Sequence, residues 1–169
     1  SLEKNLIRAS NVANKTGGGI LVISEGVFGM RGEQGKLKEI VKLKEKYKFR
    51  FLVDDAHGFG TLGRNGSGTG DEQGVQDEID VYFATFAKSI ASTGAFIAGS
   101  KEVIDFLKYN MRSQMFAKSL QSVLVYGIIK RVEMMKSRSE FKKKLWENVY
   151  SLQEGLKNRG FDIGNTQSC

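Results

Sequence analysis

Three short apolar runs constrain this chain more than anything else in it: Ile20-Leu21-Val22-Ile23, Phe51-Leu52-Val53 and Val81-Tyr82-Phe83-Ala84. Each is too short for a helix and rich in β-branched or aromatic residues. That is the pattern of strands buried on both faces of a parallel sheet. Between the first two, residues 37–47 place Leu37, Ile40, Val41 and Leu43 on one side and lysines on the other, which predicts a crossover helix. Strand, helix and strand then make a right-handed βαβ unit.

The rest of the chain extends this alternation. Leu2, Leu6, Ile7 and Val12 form an apolar stripe that predicts an opening helix, ended by Gly17-Gly18-Gly19. A glycine-rich turn follows the first strand, and residues 58–74 read as a long loop. Residues 93–98 read as a further strand; 100–110, 119–137 and 140–159 read as helices, the last two joined near Ser137-Arg138-Ser139. Residues 160–164 read as the approach to another strand. The fold class expected is α/β, a mostly parallel sheet with helices on both faces, followed by the start of a helical region.

At 169 residues the chain can hold one core, or most of one α/β domain and the beginning of another. No apolar run approaches a membrane-spanning length, and the first residues lack a signal-peptide pattern. The single cysteine, Cys169, can form no intrachain disulfide, so the expected location is cytoplasmic. A net charge of +7 raises nucleic acid as a partner, but the lysines and arginines are dispersed through helical segments with no interleaved aromatics. They read as solvated helix faces.

Chemistry is concentrated in residues 53–60, VDDAHGFG, and 85–89, TFAKS, both directly after predicted strands. In open α/β sheets functional groups gather beyond the carboxyl ends of parallel strands, so Asp54, His57 and Lys88 can converge despite their separation. Taken singly, each has a plain structural reading. Asp54 and Asp55 can be turn formers or caps, His57 a loop histidine, and Lys88 a surface lysine. Jointly they say more. A lysine just after a buried strand, flanked by Thr85, Phe86, Ile90 and Ala91, is expected to be partly desolvated and therefore a competent imine former. Asp54, Asp55 and His57 lack a further His or Cys to complete a metal site. The sequence GSGTG at 66–70 lacks the Gly-Lys-Ser/Thr ending of a nucleotide-phosphate loop.

VDDAHGFGTLG at 53–63 followed by TFAKSIASTGAF at 85–96 resembles the α-oxoamine synthases, pyridoxal 5'-phosphate (PLP) enzymes of the aspartate aminotransferase fold (fold type I) that condense an amino acid with an acyl-CoA. The resemblance runs from about Ser24 to the end. It implies that Asp54 pairs with the pyridine nitrogen of PLP and that His57 contacts the ring oxygen and helps position substrate. It also implies that Thr85 binds the cofactor phosphate and that Lys88 forms the imine with the cofactor. Lys88 and His57 are thus the expected catalytic residues. The expected parent is a homodimer with a shared site, acting on acyl-CoA and a small amino acid: glycine, alanine or serine. Local similarity is nearest to serine-palmitoyltransferase-like and glycine-acetyltransferase-like members, and an aminotransferase of the same fold is the alternative.

Two departures accompany the resemblance. Gly29 stands where the family usually has a serine that contacts the ring oxygen. Residues 115–119 match a stretch that usually offers a hydroxyl to the neighbouring subunit's phosphate, with Lys118 at that place and Ser119 off register. No residues here match the family's upstream phosphate cradle or its downstream substrate-clamping arginine. The expected division is therefore a partial large domain over 1–115, then interdomain helices and the start of a small domain over 116–169.

Overall fold

In the computed structural model, which describes all 169 residues, the three apolar runs form adjacent parallel strands: β1 (Leu21–Glu25), β4 (Arg50–Asp54) and β5 (Val81–Thr85). β2 (Val27–Phe28) and β3 (Glu33–Gln34) pair as a small antiparallel hairpin within the expected glycine-rich turn. A fourth strand, β6 (Ala95–Gly99), completes the sheet in the order β1-β4-β5-β6. β6 runs antiparallel to β5. The nine residues 86–94 between them are too few for the crossover a parallel return needs.

Helix α1 (Leu2–Thr16) inserts Leu6 into a core that includes Val22, Phe51, Val53, Tyr82 and Ala84. The expected crossover helix is shorter than predicted: α2 (Leu37–Lys42) passes into a 3₁₀ turn at Leu43–Glu45. From that turn Lys44 reaches Asp80 at 2.7 Å, an interaction that holds the crossover to the start of β5. One turn of helix, α3 (Thr69–Glu72), interrupts the long loop.

The later helices are α4 (Lys101–Asn110), α5 (Arg112–Met115), α6 (Ser122–Ser137) and α7 (Ser139–Lys157). The hydroxyl of Ser100 caps α4 by accepting from the Val103 backbone N–H at 3.4 Å. α6 and α7 join at Arg138, as expected, and both bear on the first part of the chain. Ile128 enters the common core, and the Trp146 indole donates to the Thr61 carbonyl at 2.9 Å.

Two expectations fail. β1 is not buried on both faces: Val22 is buried, but Leu21 and Ile23 are 53% and 64% exposed. β1 is a sheet edge, and nothing in these residues covers its second face. Residues 160–164 do not lead into a strand. The tail instead returns to the β2–β3 hairpin, where the Gln167 N–H donates to the Gly32 carbonyl at 2.8 Å.

Candidate active site at the carboxyl ends of the strands

Glu25 is level with Asp54, and Asp54 with Phe83, so the loops after β1, β4 and β5 leave from one edge of the sheet. Strand alternation sends Asp54 and Asp55 to opposite faces, and this gives two neighbouring carboxylates different fates.

Asp55 is fully buried. Its Oδ2 accepts from the Thr69 N–H at 2.7 Å and from the Tyr82 hydroxyl at 2.9 Å, while its Oδ1 accepts from the Thr69 hydroxyl at 2.7 Å. Glycines 26, 58 and 68 close around it. A Cβ at Gly26 or Gly58 would lie 2.7 or 2.9 Å from its carboxyl carbon, closer than packing permits, and one at Gly68 would lie at a tight 3.2 Å. Burial pushes its pKa up, and the hydrogen bonds from Thr69 and Tyr82 only partly oppose this. Burial, then the Asp55 charge, raises that of the Tyr82 phenol. Asp55 is the hub that fixes the loop bearing His57.

Asp54 is half-buried. Its one side-chain hydrogen bond within the chain is from the Ala56 N–H to Oδ1 at 3.1 Å, which closes a small turn. Its second oxygen has no partner. His57 is exposed, and its ring lies directly against Gly29 of the β2–β3 hairpin, joining the first and second loops.

The third loop carries Lys88. The Ala91 N–H donates to the Lys88 carbonyl at 2.9 Å and the Ser92 N–H to the Phe86 carbonyl at 2.8 Å. Ala91 has φ 48°, the one non-glycine residue in the chain with positive φ, so backbone strain sits three residues from Lys88. Ile90 anchors the turn in the core, and the Ser89 hydroxyl donates to the Phe59 carbonyl at 2.8 Å, tying this loop to that of His57. The three loops therefore meet.

Lys88 itself is exposed, which corrects the expected partial desolvation. Ile90 and Phe86 turn into or against the core while Lys88 points away, and no layer of this chain covers it. Thr85 has its hydroxyl engaged, donating to the Gly94 carbonyl at 3.1 Å and accepting from the Ala87 N–H at 3.1 Å. To donate to a phosphate it must release Gly94. Ser92, with a buried hydroxyl that has no partner, lies in the same turn and was not singled out by sequence. A cavity beside this turn is lined by Ser89, Ile90, Arg131 and Lys142 rather than by Lys88. Asp54 is half-buried and His57 and Lys88 are exposed, all beyond the carboxyl ends of β4 and β5.

A carboxylate with a free oxygen and an unpaired imidazole at the end of β4, with an unpaired amine on the loop after β5 that is tied to them, fit a group with a protonated ring nitrogen and a carbonyl that an amine can attack. A largely parallel sheet with helices and such groups beyond its carboxyl edge has the fold of the fold-type I PLP enzymes. The chain belongs to the aminotransferase class I and II family, whose model matches residues 7–169.

Among curated relatives, the cysteate-C-fatty acyltransferase of Capnocytophaga ochracea is 70% identical over all 169 residues, which cover 40% of that protein. The serine palmitoyltransferase of Sphingobacterium spiritivorum is 40% identical over 148 residues, 88% of this chain and 37% of that protein. A solved structure described as SPT with PLP internal aldimine matches with a TM-score of 0.81 at 33% identity, covering 86% of this chain and 37% of that one. The chain thus spans about two fifths of the length of the relatives it matches. No helix in it is long and apolar enough to cross a membrane.

Proposed function

We propose that Asp54, His57, Thr85 and Lys88 form part of the site of a PLP-dependent acyltransferase, which condenses an acyl-CoA with a small amino acid and releases CoA and carbon dioxide to give an α-amino ketone. The observation that carries this reading is the junction of the three loops at one end of the sheet, with an oxygen of Asp54, the His57 ring and the Lys88 amine all left unpartnered there. Bound PLP supplies an electron sink for the amino acid's α-carbon.

The chain's own residues do the rest. Asp54 would accept a hydrogen bond from the ring nitrogen through its free oxygen and keep that nitrogen protonated. His57 donates to the ring oxygen and orients the amino acid. Thr85, on exchanging Gly94 for the phosphate, fixes the far end of the cofactor. Lys88 would hold the cofactor through Nζ, and its free amine would take up a proton at the amino acid's α-carbon.

Glycine, serine and alanine are candidate amino acids, and the name of the 70% identical relative adds cysteate, an alanine with a sulfonate on its β-carbon. The exposed apolar side chains of Met115, Phe116, Val123 and Tyr126 support a homodimer with a site shared between subunits. The division into a partial large domain over 1–115 and linking helices over 116–169, in a cytoplasmic enzyme, belongs to the same reading.

The test uses the full-length protein loaded with PLP. Glycine, serine, alanine and cysteate are each supplied with short and long acyl-CoAs, and thiol release is followed. Release with at least one pair, lost in Lys88→Ala, is expected. Amino transfer to a keto acid with no thiol release from any pair would instead make the protein an aminotransferase.

A further inference from the structure

Gly29 is a glycine that backbone conformation does not require. The turn joining β2 to β3 closes with the Arg31 and Gly32 N–H groups donating to the Phe28 carbonyl at 3.0 and 2.8 Å, and its positive φ of 67° falls on Gly32. Gly29 has no such φ, so any L-residue can adopt its conformation. Space, however, is occupied. A Cβ at position 29 would fall within the imidazole of His57, overlapping Nε2 and Cε1 and lying 2.9 Å from Cδ2. The ring fills the volume that a side chain at 29 would take.

His57 is free to be moved by such a side chain. Its ring is exposed and makes no side-chain hydrogen bond, whereas its backbone is held by the Asp55 hub: the Gly58 and Phe59 N–H groups donate to the Asp55 carbonyl at 3.1 and 2.9 Å. A methyl group at 29 therefore displaces the ring, not the loop.

We propose that Gly29 is a positioning residue that seats the His57 imidazole and, through it, sets the fit of the amino-acid substrate. The role in substrate fit rests on the acyltransferase reading above; the seat itself does not.

The experiment uses the full-length protein and the variants Gly29→Ala, His57→Gln and the double variant. His57 ring resonances are assigned by NMR from their loss in His57→Gln. In the wild type a nuclear Overhauser contact joins the Gly29 α-protons to the His57 ring; in Gly29→Ala the ring resonances shift while the thermal midpoint stays unchanged. With PLP bound, Gly29→Ala changes KM for the amino acid about tenfold with a smaller change in kcat, and the change vanishes in the His57→Gln background. Absence of the contact, ring resonances indifferent to Gly29→Ala, or an equal KM change in both backgrounds overturns the proposal. A wild-type protein that takes up no PLP overturns the acyltransferase reading, and with it the substrate role of Gly29. The ring resonances then decide the seat alone.

Discussion

The two ends of the central strands are built on opposite plans. At the amino-terminal end, Asp80 accepts from Lys44 at 2.7 Å, from Arg50 at 2.8 Å and from the Phe51 N–H at 2.8 Å, so both of its oxygens are matched within the chain. At the carboxyl-terminal end, one oxygen of Asp54, the His57 ring and the Lys88 amine are left without partners, whereas Asp55, one residue from Asp54, has both oxygens engaged. The contrast separates residues that hold the sheet together from residues held ready for something else. A carboxylate that already has three donors cannot offer an oxygen to a ligand; one with a free oxygen contributes little to stability and can.

Substitutions at the two ends should therefore fail differently. The largest effect is expected at Asp54: Asp54→Ala should lower kcat/KM of the loaded enzyme by at least about a hundredfold by removing the carboxylate that keeps the cofactor's ring nitrogen protonated. Its unfolding free energy should change by less than about 0.5 kcal/mol. Asp55→Ala should do the reverse first, destabilising by about 3 kcal/mol because the Thr69 and Tyr82 donors are left buried and unpaired. Chemical denaturation of both variants checks the pair. Equal destabilisation by the two would erase the distinction.

Asp80 offers a milder test. Asp80→Ala should cost about 2 kcal/mol and leave kcat/KM unaltered. pH separates the carboxylates further. Burial raises the pKa of Asp80, but the hydrogen bonds from Lys44, Phe51 and Arg50 outweigh it, and the net shift is downward. Its stabilisation is present above the unfolded carboxyl value and is lost as pH falls through the lower folded one. Asp55 has the opposite sign: its folded pKa is raised, so its contribution is fully present below the unfolded value and declines as pH rises through the folded one. Unfolding free energy followed downward from about pH 6 should fall less steeply in Asp80→Asn than in the wild type; an unchanged acid limb would contradict the assignment.

The smallest effect is expected at the strained turn. Ala91→Gly should relieve the left-handed backbone and stabilise by about 0.5 kcal/mol after the added freedom of the unfolded chain is set against it.

Much of this was legible in the order of residues, and what was not depended on tertiary partners. The strands showed themselves because short β-branched runs leave few alternatives, and Asp54, His57 and Lys88 stood out because each follows a strand that ends at the same edge. Asp54 and Asp55 could not be told apart, since the difference lies in Thr69 and Tyr82, 14 and 27 residues further on. The open face of β1 and the exposure of Lys88 share one cause: apolar sequence predicts burial, but burial needs a covering layer, and these residues do not supply one. The seat of His57 on Gly29 was likewise hidden, because a missing side chain signals close approach without naming what approaches.

On the proposed reading Lys88, and no other lysine, is the covalent anchor of the cofactor. Borohydride reduction of the full-length protein loaded with PLP, followed by proteolysis and mass spectrometry, tests it directly. The pyridoxyl label is expected on Lys88, in the peptide that contains Thr85 to Ser89. A label on any other lysine, or none at all, would contradict it.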